Sequence, residues 1–138
     1  MRVAQRLDYA LRAVVLLAAR PPGVFVPGSE IAAGLALPQR VVEQQLSTLA
    51  AAGLLRSRRG AGGGHSLARD ASGITVFDVV RGLQGYTLDV PHVTGSVASE
   101  VWQDAVLVLE RHFADVTIAS LVVRQRQLES SAAGSYVI

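Results

Sequence analysis

The sequence has no cysteine and no lysine; all 13 of its basic residues are arginine. Without cysteine there is no disulfide, no thiolate nucleophile, no cysteine-held zinc and no all-thiolate iron–sulfur centre. Without lysine there is neither a Walker-type phosphate loop nor a lysine Schiff base. Aromatic residues make up only 5% and charged residues 17% of the 138 positions, while half are apolar. That composition belongs to a chain that can bury a core, not to a disordered one. The length argues for one domain or one domain with an appendage. Long apolar runs are missing as well: Ala13 to Ala19 is far short of a bilayer span. Asp8 and Arg12 break the N-terminus's likeness to a signal peptide, so the expectation is a cytoplasmic protein with no membrane partner.

What charge there is divides unevenly. Residues 1–69 carry nine arginines against three acids, a net +6, and residues 70–138 carry four against eight, a net −4. A basic front and an acidic rear suggest that the front meets a polyanion.

Apolar residues at helical spacing place a first helix over residues 4–19, closed by Pro21-Pro22-Gly23. Val24-Phe25-Val26 reads as extended, and Ser29 as the N-cap of a second helix running to Leu35. Pro38 suits the start of a third helix, whose inward stripe is Val41, Val42, Leu46 and Leu49 and whose stop is Gly53. Two short strands, Leu54–Arg58 and His65–Ala68, flank a glycine-rich tip and form a hairpin. Thr75 and Asp78 make a capping box for a fourth helix ending at Gly85. After a loop over 86–97, Val101, Trp102, Ala105, Val108, Leu109 and Phe113 form the apolar stripe of a fifth helix. Thr117 opens a sixth, and the small polar residues 130–135 are expected to fray.

Helix, helix, turn, helix and a glycine-tipped hairpin make the winged helix-turn-helix order. The expected fold is mainly α with a small β wing and a long C-terminal dimerisation helix. The division is a DNA-binding unit over 1–85, a loop over 86–97 and dimerisation helices with a tail over 98–138. A helix of this size fits the major groove, and a tip freed of side chains can approach the phosphates or slip an arginine into the minor groove. Arg56, Arg58 and Arg59 would supply the charge, with Gly60, Gly62, Gly63, Gly64 and His65 shaping the approach. The same glycines fail as a dinucleotide fingerprint, because His65 stands where a third glycine belongs and the run lies between strands.

Catalysis has little support. There is no GxSxG motif and no carboxylate pair, and Glu100, Asp104 and Glu110 read as the wet face of the fifth helix. His65, His92 and His112 form neither a close pair nor an HExxH motif, so no metal and no cofactor is expected.

Leu7-Asp8-Tyr9-Ala10-Leu11-Arg12-Ala13, Val42-Glu43-Gln44-Gln45-Leu46, Gly53-Leu54-Leu55, Arg59 through Gly64 and Ile74 through Val80 together resemble the IscR/NsrR/CymR family. These are dimeric bacterial winged-helix transcriptional regulators, of the Rrf-two type. The resemblance implies that Gln39, Arg40, Val41, Glu43 and Gln44 face the major groove and that Arg59 enters the minor groove. Side-chain chemistry is compatible: Arg40 suits guanine, Gln44 adenine and Glu43 the cytosine amino group. Trp102 and residues 116–121 resemble the family's dimerisation region. Three positions depart from the family pattern: Ala36 replaces a glycine in the turn before the third helix, His65 replaces a tyrosine, and residues 90–99 lack the three cysteines of the iron–sulfur members.

The function expected is therefore a regulator, most simply a repressor, that binds a pseudo-palindromic operator in double-stranded DNA as a homodimer, without an iron–sulfur cluster and under an unidentified effector or partner protein. The alternatives are a protein-interaction adaptor, or a small-molecule sensor with a pocket near Trp102.

Overall fold

The computed structural model describes residues 1–134. In chain order it contains α1 (Gln5–Ala18), α2 (Gly28–Leu35), α3 (Gln39–Ala51), β1 (Leu55–Arg58), β2 (Gly64–Leu67), a 3-10 turn (Ala71–Gly73), α4 (Val76–Gln84), α5 (Val97–Ala114) and α6 (Ile118–Gly134). The architecture is mainly α with one two-stranded antiparallel sheet, the winged helix-turn-helix that the sequence order implies.

The core forms where the inward faces of α1, α2, α3 and α4 converge. Val14, Ile31, Val42, Leu46, Leu49 and Val79 are fully buried there, and Ile74 and Ile118 close it from the side. Several local signals act as the residue types require. Gly53, in the left-handed region, ends α3 in a Schellman motif, with Leu54 N–H donating to Leu49 C=O and Gly53 N–H to Ala50 C=O. Thr75 and Asp78 form a reciprocal capping box on α4. Both the hydroxyl and the amide of Ser72 donate to Asp70, which holds that carboxyl below its ordinary value.

Three expectations are corrected. Ser29 does not cap α2: the Pro27 carbonyl already accepts from Glu30 and Ile31, so the helix begins at Gly28. Val41 is only half-buried, and Gln45 takes its place in the buried stripe of α3. Residues 130–134 continue α6 instead of fraying, because a helix already nucleated extends readily through alanine and serine; Ser135 lies outside the described residues.

The turn between α2 and α3 carries the one non-glycine residue among those described with a left-handed backbone. Ala36 has φ 55° and ψ 43°, a conformation that costs an L-residue about 1–2 kcal/mol. A seam ties the rear helices to this front unit. Ile118 N–H donates to Ile74 C=O at 2.8 Å, and Val76 N–H donates to Val116 C=O at 2.9 Å.

Candidate nucleic-acid interface

Burial of Val42, Gln45, Leu46 and Leu49 turns the opposite side of α3 outward. Gln39, Arg40, Gln44, Ser47 and Thr48 are exposed on it. Thr48 donates its hydroxyl to the Gln44 main-chain carbonyl, 3.0 Å away, a bond within the helix that does not involve the Gln44 side chain. Arg6 of α1 lines a shallow recess together with Arg40, Gln44, Ser47 and Thr48. Sequence periodicity gave no reason to group Arg6 with α3, because only the packing of α1 on α3 makes them neighbours.

The wing stands beside this face. β1 and β2 pair from Leu55 with Leu67 to Arg58 with Gly64. Val26 adds an isolated bridge on the far side of β2 by exchanging both backbone hydrogen bonds with His65 at 2.8 Å. Gly60 and Gly62 have φ of 84° and 74°, so the tip can turn only with residues that tolerate positive φ. Side chains at Gly63 and Gly64 would overlap the carbonyls of Arg58 and Val26, so these two glycines serve close packing. The tip therefore exposes Arg59 with little bulk around it. Arg56 is exposed on the strand, and the Arg58 guanidinium stacks 4.1 Å from the Phe25 ring centroid, which restrains it while leaving its edges open.

His65 is placed differently from the expectation that it helps meet DNA. It is only 9% exposed, with Nδ1 hydrogen-bonded to the Ser57 hydroxyl at 3.1 Å and Nε2 3.4 Å from a Glu43 carboxylate oxygen. Its ring lies between wing and α3, not on the outer surface. Glu43 sets its carboxylate over Gly28, where a β-carbon would overlap it, yet its side chain stays 39% exposed and also borders the recess with Arg40 and Gln44.

The rear helices differ in kind. Ser99 is the one buried residue of α5. Val101, Trp102 and Val108 are 55%, 41% and 64% exposed, and Val97 and Leu107 are exposed beside them. Ala105, Leu109 and Phe113 are half-buried. Glu110 is not on the wet face: it accepts from the Thr87 hydroxyl at 3.1 Å and lies 3.9 Å from Arg81. The loop between α4 and α5 is stitched down by that bond, by Gln84 donating to the Tyr86 and Thr87 carbonyls, and by Val93 N–H donating to Ser99 Oγ.

A cavity of about 720 Å³ lies between α1, the end of α2 and α6, with Leu11, Val15, Leu35, Leu121 and Leu128 among its lining. Trp102 does not border it. Among the described residues no helix is long and apolar enough to cross a membrane.

Comparison with known proteins places these features together. The Rrf2 family model, described as "Iron-dependent Transcriptional regulator", matches residues 3–124. The HTH-type transcriptional regulator Rv1287 of Mycobacterium tuberculosis is 36% identical over 85 residues, which are 62% of this chain and 53% of that protein. The chain thus spans about half the length of the curated relatives it matches. CymR, the global cysteine regulator of B. subtilis, superposes with a TM-score of 0.79 at 25% identity, covering 90% of this chain and 98% of that one. T. potens IscR superposes with a TM-score of 0.74 at 30% identity, covering 91% and 88%.

The iron in the family's description has no matching donor set here. The chain lacks cysteine, Asp8 is paired with Arg12 at 2.9 Å, and His92 stands exposed in its loop. No group of three or more His, Cys, Asp or Glu able to hold a metal occurs among the described residues. The side chains present do not fit an iron centre. With its family model spanning residues 3–124 and its fold shared with CymR and IscR, the chain belongs to the Rrf2 family of winged-helix, DNA-binding transcriptional regulators.

Proposed function

We propose that the chain acts as a homodimeric repressor that reads a pseudo-palindromic operator in double-stranded DNA and does so without an iron–sulfur cluster. The observation that carries this reading is the shallow recess that Arg40 and Gln44 on α3 share with Arg6 on α1, together with a wing packed beside α3 whose tip exposes Arg59. Arg40 and Gln44 would meet base edges, with Gln39 and half-buried Val41 at the start of the helix lining the approach. Arg6, Arg56, Arg58 and Arg59 would neutralise phosphates, Arg59 at the minor groove.

The exposed stripe of α5 supports a second copy as the partner: Val101, Trp102, Ala105, Val108, Leu109 and Phe113 would pack on their counterparts and set two α3 helices one helical turn apart. Repression would follow from occlusion of a promoter. An effector or partner protein would shift the dimer between binding and non-binding arrangements through the Ile74–Ile118 seam, where α6 is hydrogen-bonded to the front unit. The functional division would be a reader over 1–85, a strap over 86–97 and a dimerising arm beyond.

The test is selection of bound duplexes from a random-sequence library, followed by fluorescence anisotropy on the selected operator. Arg59→Ala is expected to weaken binding about tenfold and to reduce the salt slope by about one phosphate equivalent. Unchanged affinity and slope would remove the wing from the interface.

A further inference from the structure

Arg69 directly follows the wing. The last backbone hydrogen bond of the hairpin runs from Ala68 N–H to Leu54 C=O at 2.9 Å, and Arg69 is the next residue. Its charge and place suit a further phosphate contact beside Arg56, Arg58 and Arg59. Its side chain is engaged elsewhere. Nε donates to the Gly73 carbonyl at 3.0 Å, and a terminal nitrogen donates to Asp78 Oδ2 at 3.1 Å. Arg56, Arg58 and Arg59, by contrast, are paired with no carboxylate among the described residues. The two acceptors of Arg69 bracket the seam to the rear helices. Gly73 precedes Ile74, whose carbonyl accepts from Ile118, and Asp78 Oδ2 also accepts the Thr75 N–H at 2.9 Å. Thr75 itself forms a bridge with Thr117. Between Arg69 and Gly73 the chain is stiffened by Asp70, which caps the 3-10 turn by accepting from Ser72. One planar guanidinium thus closes the exit of the wing onto residues 73–78, the segment that meets residues 116–118.

We propose that Arg69 is a positioning residue for the wing: it contacts no phosphate but clasps the exit of β2 to Gly73 and Asp78, which sets the angle of the wing against the seam. This rests on the DNA-reading function proposed above. The basic residues of the wing are then divided by task. Arg59 at the tip meets DNA, and Arg69 at the root decides where the tip stands. A movement of residues 116–118 reaches the wing by the same path: the seam shifts residues 73–78, and the fork of Arg69 carries the hairpin with them.

Fluorescence anisotropy of the full chain on the duplex that the wild-type protein selects, repeated across salt concentrations, separates a clasp from a phosphate contact. Wild type is measured first, so a protein that selects no sequence overturns the DNA-reading function itself before any variant is considered. Arg69→Gln is expected to weaken binding about fivefold with the salt slope unchanged, since no phosphate contact is lost. Arg69→Lys keeps the charge but cannot make both bonds from one planar group, so a loss of about the same size is expected. Asp78→Asn leaves an acceptor for the Thr75 amide while removing the charge, and is expected to weaken binding about threefold. Arg69→Gln combined with Asp78→Asn should bind no more weakly than Arg69→Gln alone, because both changes undo one clasp. Hydroxyl-radical footprinting of Arg69→Gln is expected to lose protection where the wing enters the minor groove while protection beside α3 persists. A slope lowered by about one phosphate equivalent, with full affinity kept by Arg69→Lys, makes Arg69 a phosphate contact and overturns the proposal. Tighter binding by Asp78→Asn overturns it as well, for the released guanidinium then reaches DNA. So do losses that add in the double variant, or a footprint that fades evenly across the site, which marks a folding defect. Both side chains are partly exposed, 46% and 33%, and the variants are expected to keep wild-type circular dichroism. Should Arg69→Gln fail to fold, Arg69→Lys and Asp78→Asn decide the question.

Discussion

The front unit and the rear arm bury their apolar residues differently. α3 is a 13-residue helix with four buried residues, whereas α5, at 18 residues, has one, Ser99. Val97, Val101, Trp102, Leu107 and Val108 lie open to solvent on α5, while the aliphatic residues of the front core are closed to it. A front core that α6 helps to close through Ile118, beside a helix α5 that leaves much of its apolar stripe open, is what a reader joined to an assembly helix requires. The charge split follows the same line, +6 over 1–69 and −4 over 70–138. The excess of positive charge thus lies in the front part.

That contrast can be broken from either side. The largest effect is expected in the front: Leu46→Ala, at a fully buried position, should lower stability by about 2–5 kcal/mol in urea unfolding. The same kind of loss from the arm should show up as assembly and not as folding. Val108→Glu should leave helix content by circular dichroism unchanged yet weaken self-association on the order of 100-fold in sedimentation, because it would bury a charge against a second copy. Thr75→Ala removes one half of the capping box at the seam between the two regions and should cost about 1 kcal/mol. The smallest change runs the other way: Ala36→Gly relieves a left-handed alanine, and thermal unfolding should show a gain of up to about 1 kcal/mol after the added flexibility of the unfolded chain is offset.

Much of the front was legible because its signals are local. The 4–19 periodicity, Gly53, Thr75 with Asp78 and the glycine tip each work through near neighbours, and the observed α1, Schellman turn, capping box and hairpin follow them closely. The departures arise where distant segments meet. Ser29 lost its cap role because Pro27, beside the Val26–His65 rung, already supplies the first helical carbonyl. Glu110 reads as solvent-facing by period, yet Thr87, 23 residues earlier, claims its carboxylate. His65 and Glu43 could each be read as surface groups until the wing folded one against the other. Arg6 joined the α3 face for the same reason. Single-helix periodicity carries no information about which other element will cover a face. The stripe on α5 divides: Val101, Trp102 and Val108 stay open, while Ala105, Leu109 and Phe113 are half-buried.

If the open stripe of α5 pairs two copies, the basic reader is brought to DNA two at a time. Sedimentation equilibrium of the full chain with the selected duplex, repeated across salt concentrations, tests it most directly. Two chains per duplex, with an association constant that falls steeply as salt rises, is the result expected of paired arginine-rich wings. One chain per duplex, or an affinity indifferent to salt, would contradict it.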